Sequence, residues 1–441
     1  MRPPTYVTGG RPGQPLQRHG GIDFAKMAEA PTRRRSRPAE LSFAAGILLI
    51  TLLLQRFGLQ IGAAGMNIVG PIGLLLGLRG LIRGELSIHT GRLKAYLALL
   101  FCITVGTVEQ TLFPPALFVV SSPLSVLQFL LLSSFATLSF THRVDELTFF
   151  SLINKGLALI AAAGILQFAL QTVGISFFSF EDIVPASILS ERGWNLIIPS
   201  GVGALLKSNG MFLNEPSIFS QFMAIGLIIE LLAFRRIAFC ALYMVALLVS
   251  FSGTGWIVIA TFIVAVAGGL GTRGLLLALA AIALIGVGLL GIFLFAPDMI
   301  PVLGDRASEI FYPGTSGHMR FITPFWALND VLDRVPAAFL FGIGGGMSEH
   351  LTLPYEYDVN TPIKIILEFG VPALICYLML LVIAERTPLQ RALVAPCIVL
   401  LLITGSYSQF PPILFFMLLL IAVARLEPSA TSAVTDASAR T

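Results

Sequence analysis

The run Gly274 to Ala296, GLLLALAAIALIGVGLLGIFLFA, contains no charged residue and does not alternate. It is long enough to cross the roughly 30 Å hydrocarbon layer of a bilayer as one helix. Lipid offers no partner to a free backbone amide, so such runs are expected as helices; a closed barrel would read as alternating segments of about ten residues. Comparable runs predict spans at 41–55, 60–78, 95–113, 117–140, 152–175, 216–234, 237–251, 255–271, 274–296, 362–384, 392–408 and 411–425. The expected fold is therefore all-α, a polytopic membrane protein with about 12 transmembrane helices. Composition agrees, because 56% of the 441 residues are hydrophobic and 12% charged, against roughly a quarter charged in soluble domains. Cys102, Cys240, Cys376 and Cys397 lie within apolar segments at irregular spacing, which suggests packing and no disulfide or metal framework.

The formal net charge of +4 is explained by loops beside helix ends and calls for no nucleic acid. Arg33, Arg34, Arg35 and Arg37 precede the first span. Arg79, Arg83, Arg92, Lys94, Arg143, Arg235, Arg236, Arg273, Arg386, Arg391 and Arg425 fall in loops on the same side, and the opposite short loops carry Arg56 alone. Basic excess marks the cytoplasmic face, so both termini are expected there. Residues 1–38, rich in Pro, Gly and Arg, read as a disordered basic cytoplasmic tail. Residues 39–425 read as one membrane domain with outer loops at 176–214 and 297–361, and 426–441 as a flexible cytoplasmic tail.

The ionisable residues of the spans, Lys155, Glu230, Lys364 and Glu368, are few and near span ends, which disfavours proton-coupled transport. Most polar chemistry falls in the outer loops. FGIGGGMSEH, Phe341 to His350, looks like a phosphate-cradling loop, but Met347 replaces the last glycine and no P-loop lysine follows; a turn where backbones pass closely explains it. In HMRFITPFWALNDVLDRVPAA, Phe321, Phe325, Leu328, Leu332 and Val335 recur at helical spacing, as in an amphipathic helix lying on the membrane. Arg320 falls at the amino end of that helix, where the macrodipole disfavours a cation. Either a phosphate or a carboxylate such as Glu309 would relieve it, and arginine suits a phosphate through two parallel hydrogen bonds.

LLKSNGMFLNEPSIFSQFM, Leu205 to Met223, places Lys207 and Glu215 before a very apolar run. Asn214 as cap, Glu215 as a first-turn anion and Pro216 at an early helical position account for the helix start. Lys207 is not needed for it.

KSNGMFLNEPSIFSQF resembles the R-x-x-G-x-F-x-E-P-S segment of the membrane-embedded O-antigen polymerase and ligase superfamily, the Wzy-like proteins. SFSGTGWIVIA, Ser250 to Ala260, resembles the family's S-x-S-R segment. MRFITPFWALNDVLDRVPAAFLFGIGGG resembles its large outer loop, and DVNTPIKIILEFGVPALICYL its His-Asn segment leading into a membrane helix. The four follow in the family's order from 205 to about 380. Lys207 stands where an arginine is usual, Gly253 or Thr254 in place of a second arginine, and Val359 in place of the ligase histidine, while Asn360 matches. The missing histidine favours a polymerase over a ligase.

The resemblance implies transfer of a glycan from undecaprenyl pyrophosphate to a sugar hydroxyl of another lipid-linked repeat, at the outer face of the bacterial cytoplasmic membrane. It implies no cofactor and no metal, with lipid and the pathway's flippase and chain-length regulator as partners. A leaving pyrophosphate needs fixed cations, for which Arg320 and Lys207 are the candidates. The acceptor needs a base; Asp358 ranks first, followed by Glu356, His350 and Glu215. Asn360, Trp326 and Tyr355 are candidate glycan or lipid contacts, interfacial anchoring being the more frequent role of such aromatics. A lipid-linked sugar flippase is the alternative outside enzymes.

Overall fold

A helix that is apolar on every side is buried on every side, and this rule orders the elements of the computed structural model. It describes residues 38–61, 64–113, 122–175, 177–178, 180, 183–189, 198–200, 204–269, 279, 282, 311–382, 388–403, 410–423 and 425–427. Helix α6 (Pro216–Ile229), continued by a π turn over Glu230–Phe234, is buried along nearly its whole length. Helix α14 (Phe410–Val423) is buried from Pro411 to Ala422. The two meet through Phe222 and Phe415, whose ring centroids lie 4.4 Å apart. Around this centre pack α1 (Pro38–Leu53), α2 (Val69–Ile82), α4 (Pro123–Phe135), α5 (Glu146–Thr172), α7 (Ile237–Val249), α8 (Thr254–Gly269) and α13 (Pro388–Ile403).

Helix α3 (Thr90–Leu112) lies against α12 (Thr361–Val382) and turns its other face outward. Leu97, Phe101, Val105, Val108 and Leu112 are all exposed there, a continuous apolar stripe at helical spacing. In water such a face would invite association; lipid is its natural cover. Among the described residues, four helices are long and apolar enough to cross a membrane: Thr90–Leu112, Glu146–Thr172, Pro216–Phe234 and Thr361–Val382. Shorter apolar helices occupy the other described spans, as a mostly helical membrane protein requires.

The span expected at 60–78 is corrected. Gly58, Gly62 and Gly65 disfavour helix in its first part, and an antiparallel hairpin forms between β1 (Gly58–Ile61) and β2 (Ala64–Asn67), with Gly58 opposite Asn67. The helix begins at Val69. Two further short pairings, β3 (Leu86–Ile88) with β4 (Leu138–Phe140) and β5 (Val144–Asp145) with β6 (Leu426–Glu427), join connections between helices. The span at 274–296, apart from Leu279 and Ile282, lies outside the described residues, as do 1–37, 428–441 and Glu309.

The polar segment from 311 to 360 is ordered by a break in α12. Gly370 takes φ 83° and ψ 169°, and Pro372 follows within the helix. Proline has no N–H to give, so the carbonyl of Glu368 loses its helical donor. The glycine turn after α11 (Ala338–Phe341) supplies replacements: Ile343 N–H donates to Leu367 O at 2.7 Å, and Gly344 N–H to Glu368 O at 3.2 Å. Helix α3 joins the same crossing, because Gln110 Nε2 donates to Phe341 O at 2.8 Å. FGIGGG is thus the close backbone passage that its composition suggests. A Cβ on Gly342 would stand 2.2 Å from the Glu368 carbonyl carbon, and one on Gly370 2.2 Å from Leu340 O, both at positive φ.

Gly342→Ala or Gly370→Ala is accordingly expected to destabilise the protein by roughly 3 kcal/mol or more. At Gly253 an added Cβ meets nothing within 4 Å, so Gly253→Ala should stay within about 0.5 kcal/mol of the parent. Thermal unfolding of the three purified variants in detergent measures the contrast.

Candidate functional site

Glu215 occupies the N-cap of α6 in an extended conformation, with Pro216 at the first helical position, but its side chain makes no capping hydrogen bond. Asn214 is not the cap; its N–H donates to Gln55 Oε1 at 3.3 Å. The capping account of Glu215 is therefore corrected. Its carboxylate is 5% exposed. Burial pushes its pKa upward, the Arg320 charge and a hydrogen bond from the Ser217 side chain oppose that, and the Asp358 charge adds to it. Two residues from distant segments thus act electrostatically on Glu215.

Arg320 is on α9 (Ser316–Phe321), a short helix separate from α10 (Thr323–Arg334). The chain breaks at Ile322, because Pro324 in the first turn of α10 has no N–H to give to the carbonyl of Arg320 four residues earlier. Arg320 therefore lies in the last turn of one helix, where a cation is tolerated, and the expected dipole conflict at the start of a single helix does not arise. Its Nε donates to Asp358 Oδ2 at 2.9 Å, with the side chains 24% and 35% exposed.

The backbone secures this pairing. Asp358 N–H donates to Met319 O at 3.0 Å, and Asn360 Nδ2 to Arg320 O at 3.4 Å. Asn360 Oδ1 also accepts from Ile363 N–H at 3.1 Å, capping α12. Asn360 is thereby a positioning residue, tying α9 to the start of the broken helix. Asp358 has one oxygen engaged by the guanidinium, whereas Glu215 faces the pair from a more buried position.

The SFSGTG turn lies beside Glu215. Thr254 Oγ1 donates to Ser217 O at 3.0 Å and stands 2.9 Å from Ser220 Oγ and 3.0 Å from Ser252 Oγ. Gly255 N–H donates to Ser220 Oγ at 3.1 Å. Segments around 215, 250–255, 320 and 358–360 therefore meet through hydrogen bonds or charge. Charge and aromatic patterning do not mark Ser217 or Thr254; the density of hydroxyls in SFSGTG points to Thr254, and nothing comparable in the sequence points to Ser217.

Lys207 is 6% exposed and engaged in contacts of its own. Its N–H donates to Ile198 O at 2.8 Å, while neighbouring Ser208 Oγ donates to Gly164 O and Gln167 Oε1, each at 2.9 Å. Gly210 then passes under Phe219 of α6. Lys207 is held in a segment wedged against α5 and α6; Arg320 is paired with Asp358. His350 and Glu356 are exposed, His350 closing a short turn at Met347–Glu349. Trp326 and Tyr355 meet edge to face at 5.7 Å.

Of the ionisable residues singled out in the spans, Lys364 lies 2.6 Å from Glu349 and 3.9 Å from Glu368. Ser348 Oγ donates to Glu368 Oε1, so this buried pair anchors the glycine turn. Glu230 accepts from Asn154 and Arg236 where α6 ends in its π turn.

The charge relationships around Glu215 set signs that infrared difference titration can read, with Glu215→Gln assigning the band. Arg320→Gln removes the opposing cation and should move the Glu215 titration to higher pH. Asp358→Asn removes a neighbouring anion and should move it lower; a reversed direction in either variant refutes the coupling. Compared with known proteins, the chain matches no family model, no curated protein and no solved structure, so the functional reading rests on these residues.

Proposed function

We propose that the chain is a polysaccharide polymerase of the bacterial cytoplasmic membrane. It would transfer a glycan from undecaprenyl pyrophosphate to a sugar hydroxyl of another lipid-linked repeat at the outer face. The observation that carries this reading is the approach of Glu215, Arg320 and Asp358 from three distant segments, at the mouth of a buried membrane helix. A full set of about twelve spans with both termini cytoplasmic belongs to the same proposal. So does its Wzy-like character.

In this mechanism Arg320 binds the donor pyrophosphate. An arginine already oriented by Asp358 costs little further ordering when it meets a phosphate. The acceptor oxygen attacks the anomeric carbon and forms the new glycosidic bond. The bond from that carbon to the pyrophosphate oxygen breaks, and its electron pair leaves on undecaprenyl pyrophosphate, whose charge Arg320 stabilises. The proton of the acceptor hydroxyl passes to Glu215. Burial raises the proton affinity of Glu215, which suits a general base better than an ordinary surface carboxylate. Asp358, first among the bases expected from sequence, acts here as the group that orients Arg320.

Val359, where ligases carry a histidine, is 6% exposed and belongs to an apolar cluster with Val331, Met347 and Ile363. This supports a base drawn from elsewhere, and with it the polymerase over the ligase. Lys207 is kept in this proposal as a second cation, with Asn360 fixing the loop that carries Asp358.

Arg320→Ala and Glu215→Gln should each abolish chain growth while the protein stays inserted, with single lipid-linked repeats accumulating on gels of lipid-linked glycans. Normal polymer length in either well-expressed variant refutes the assignment. Long uncoupled chains in a deletion strain would instead identify a ligase, and changed transbilayer movement without any lengthening a flippase.

A further inference from the structure

Helix α10 presents an outward face that its packing does not use. Its buried residues are Thr323, Pro324, Ala327 and Val331. Trp326, Asn329 and Asp333 are exposed on the other side, with Asp330 half-buried among them. Phe325, expected on the apolar stripe, is 56% exposed, because the packed face is rotated by about one residue from that stripe. Phe325 suits lipid, but a face carrying Asp330 and Asp333 does not suit an anionic membrane surface or a pyrophosphate.

The side chains on this face are held in fixed geometry. Trp326 packs edge to face against His318, at 5.2 Å, and against Tyr355, at 5.7 Å. Tyr355 Oη donates to Asp330 Oδ2 at 3.0 Å. Burial and this carboxylate push the Tyr355 pKa up to about 12, so the phenol remains a donor at neutral pH. Asn329 Nδ2 donates to Asp333 Oδ2 at 3.1 Å. His318 is 5% exposed, and its Nδ1 has no hydrogen-bond partner among the described residues. Buried polar atoms are nearly always satisfied, so an orphan beside a half-exposed indole asks for a ligand or an ordered water.

We propose that Trp326, Asp330, Tyr355 and His318 form a subsite for a neutral pyranose of the acceptor glycan. A pyranose has an apolar face of C–H bonds that fits an indole and a rim of hydroxyls that donate to carboxylates. Asp330 takes such hydroxyls through its remaining acceptor capacity, Tyr355 fixes its orientation, and His318 packs edge to face with the indole and steadies it. The acidic face excludes phosphate and acidic sugars, while Arg320, two residues beyond His318, attracts phosphate. Donor and acceptor are thereby sorted by charge along α9 and α10. Assigning the sugar to the acceptor rests on the polymerase reading; the subsite itself does not.

Saturation-transfer NMR on the full chain in nanodiscs tests it, with maltotetraose, cellotetraose and chitotetraose as neutral probes and tetragalacturonate and choline as contrasts. Transfer to ring C–H protons of at least one neutral probe is expected. Binding should weaken by about tenfold in Trp326→Ala and in Asp330→Asn, the loss of one charge-assisted hydrogen bond or its equivalent, and should persist in Arg320→Ala. Absence of transfer to all three neutral probes, undiminished binding in both subsite variants, or preference for choline or tetragalacturonate overturns the subsite. A wild-type chain that binds neutral probes but elongates nothing in vesicles overturns the polymerase reading and leaves the subsite standing.

Discussion

The crossing of the Phe341–Gly346 turn over the break in α12 organises the polar part of the molecule around it. Pro372 removes an amide that the helix needs, Gly370 takes a backbone conformation closed to most side chains, and the exposed carbonyls of Leu367 and Glu368 are met by Ile343 and Gly344. A buried carbonyl left without a donor would cost a few kcal/mol. The turn is therefore held by the helix and the helix by the turn. The Lys364 and Glu368 pair, with Glu349 and Ser348, lies just beneath and makes the same contact electrostatically.

That crossing positions the candidate chemistry. It fixes the direction in which α12 begins, and Asn360 at its cap reaches the backbone of Arg320. The guanidinium then meets Asp358 and acts on Glu215 across a site that is only partly open to water. Charge interactions in such a place are stronger than at a surface, because the effective dielectric is lower. Two carboxylates with different exposure and one arginine separate naturally into an orienting partner and a proton acceptor.

The helices were legible because apolar runs of spanning length leave few alternatives in a membrane. Where reading by hydrophobicity failed, at 60–78, glycine content decided between hairpin and helix. The motif segments were legible as chemistry through unusual placements, Arg320 in a long polar connection and Glu215 beside an apolar run. Their roles were harder to assign. Asn214 looked like the cap, yet Glu215 stands there with its carboxylate turned elsewhere. Asp358 looked like a free base, yet it pairs with a residue 38 positions away, a separation no local pattern encodes.

Sequence alone determined the mostly helical membrane architecture, the close backbone passage at the glycine turn and the residues that carry charge into the connections between apolar helices. These follow from local properties: hydrophobicity, the missing proline amide and the missing glycine side chain. Tertiary structure alone decided which charges meet, that Glu215 is buried while Asp358 is paired, and that Trp326 packs against both His318 and Tyr355, with Tyr355 bonded to Asp330. Those outcomes depend on distances between segments far apart in the chain, and electrostatic and packing energies are set by such distances and by burial, not by order along the sequence.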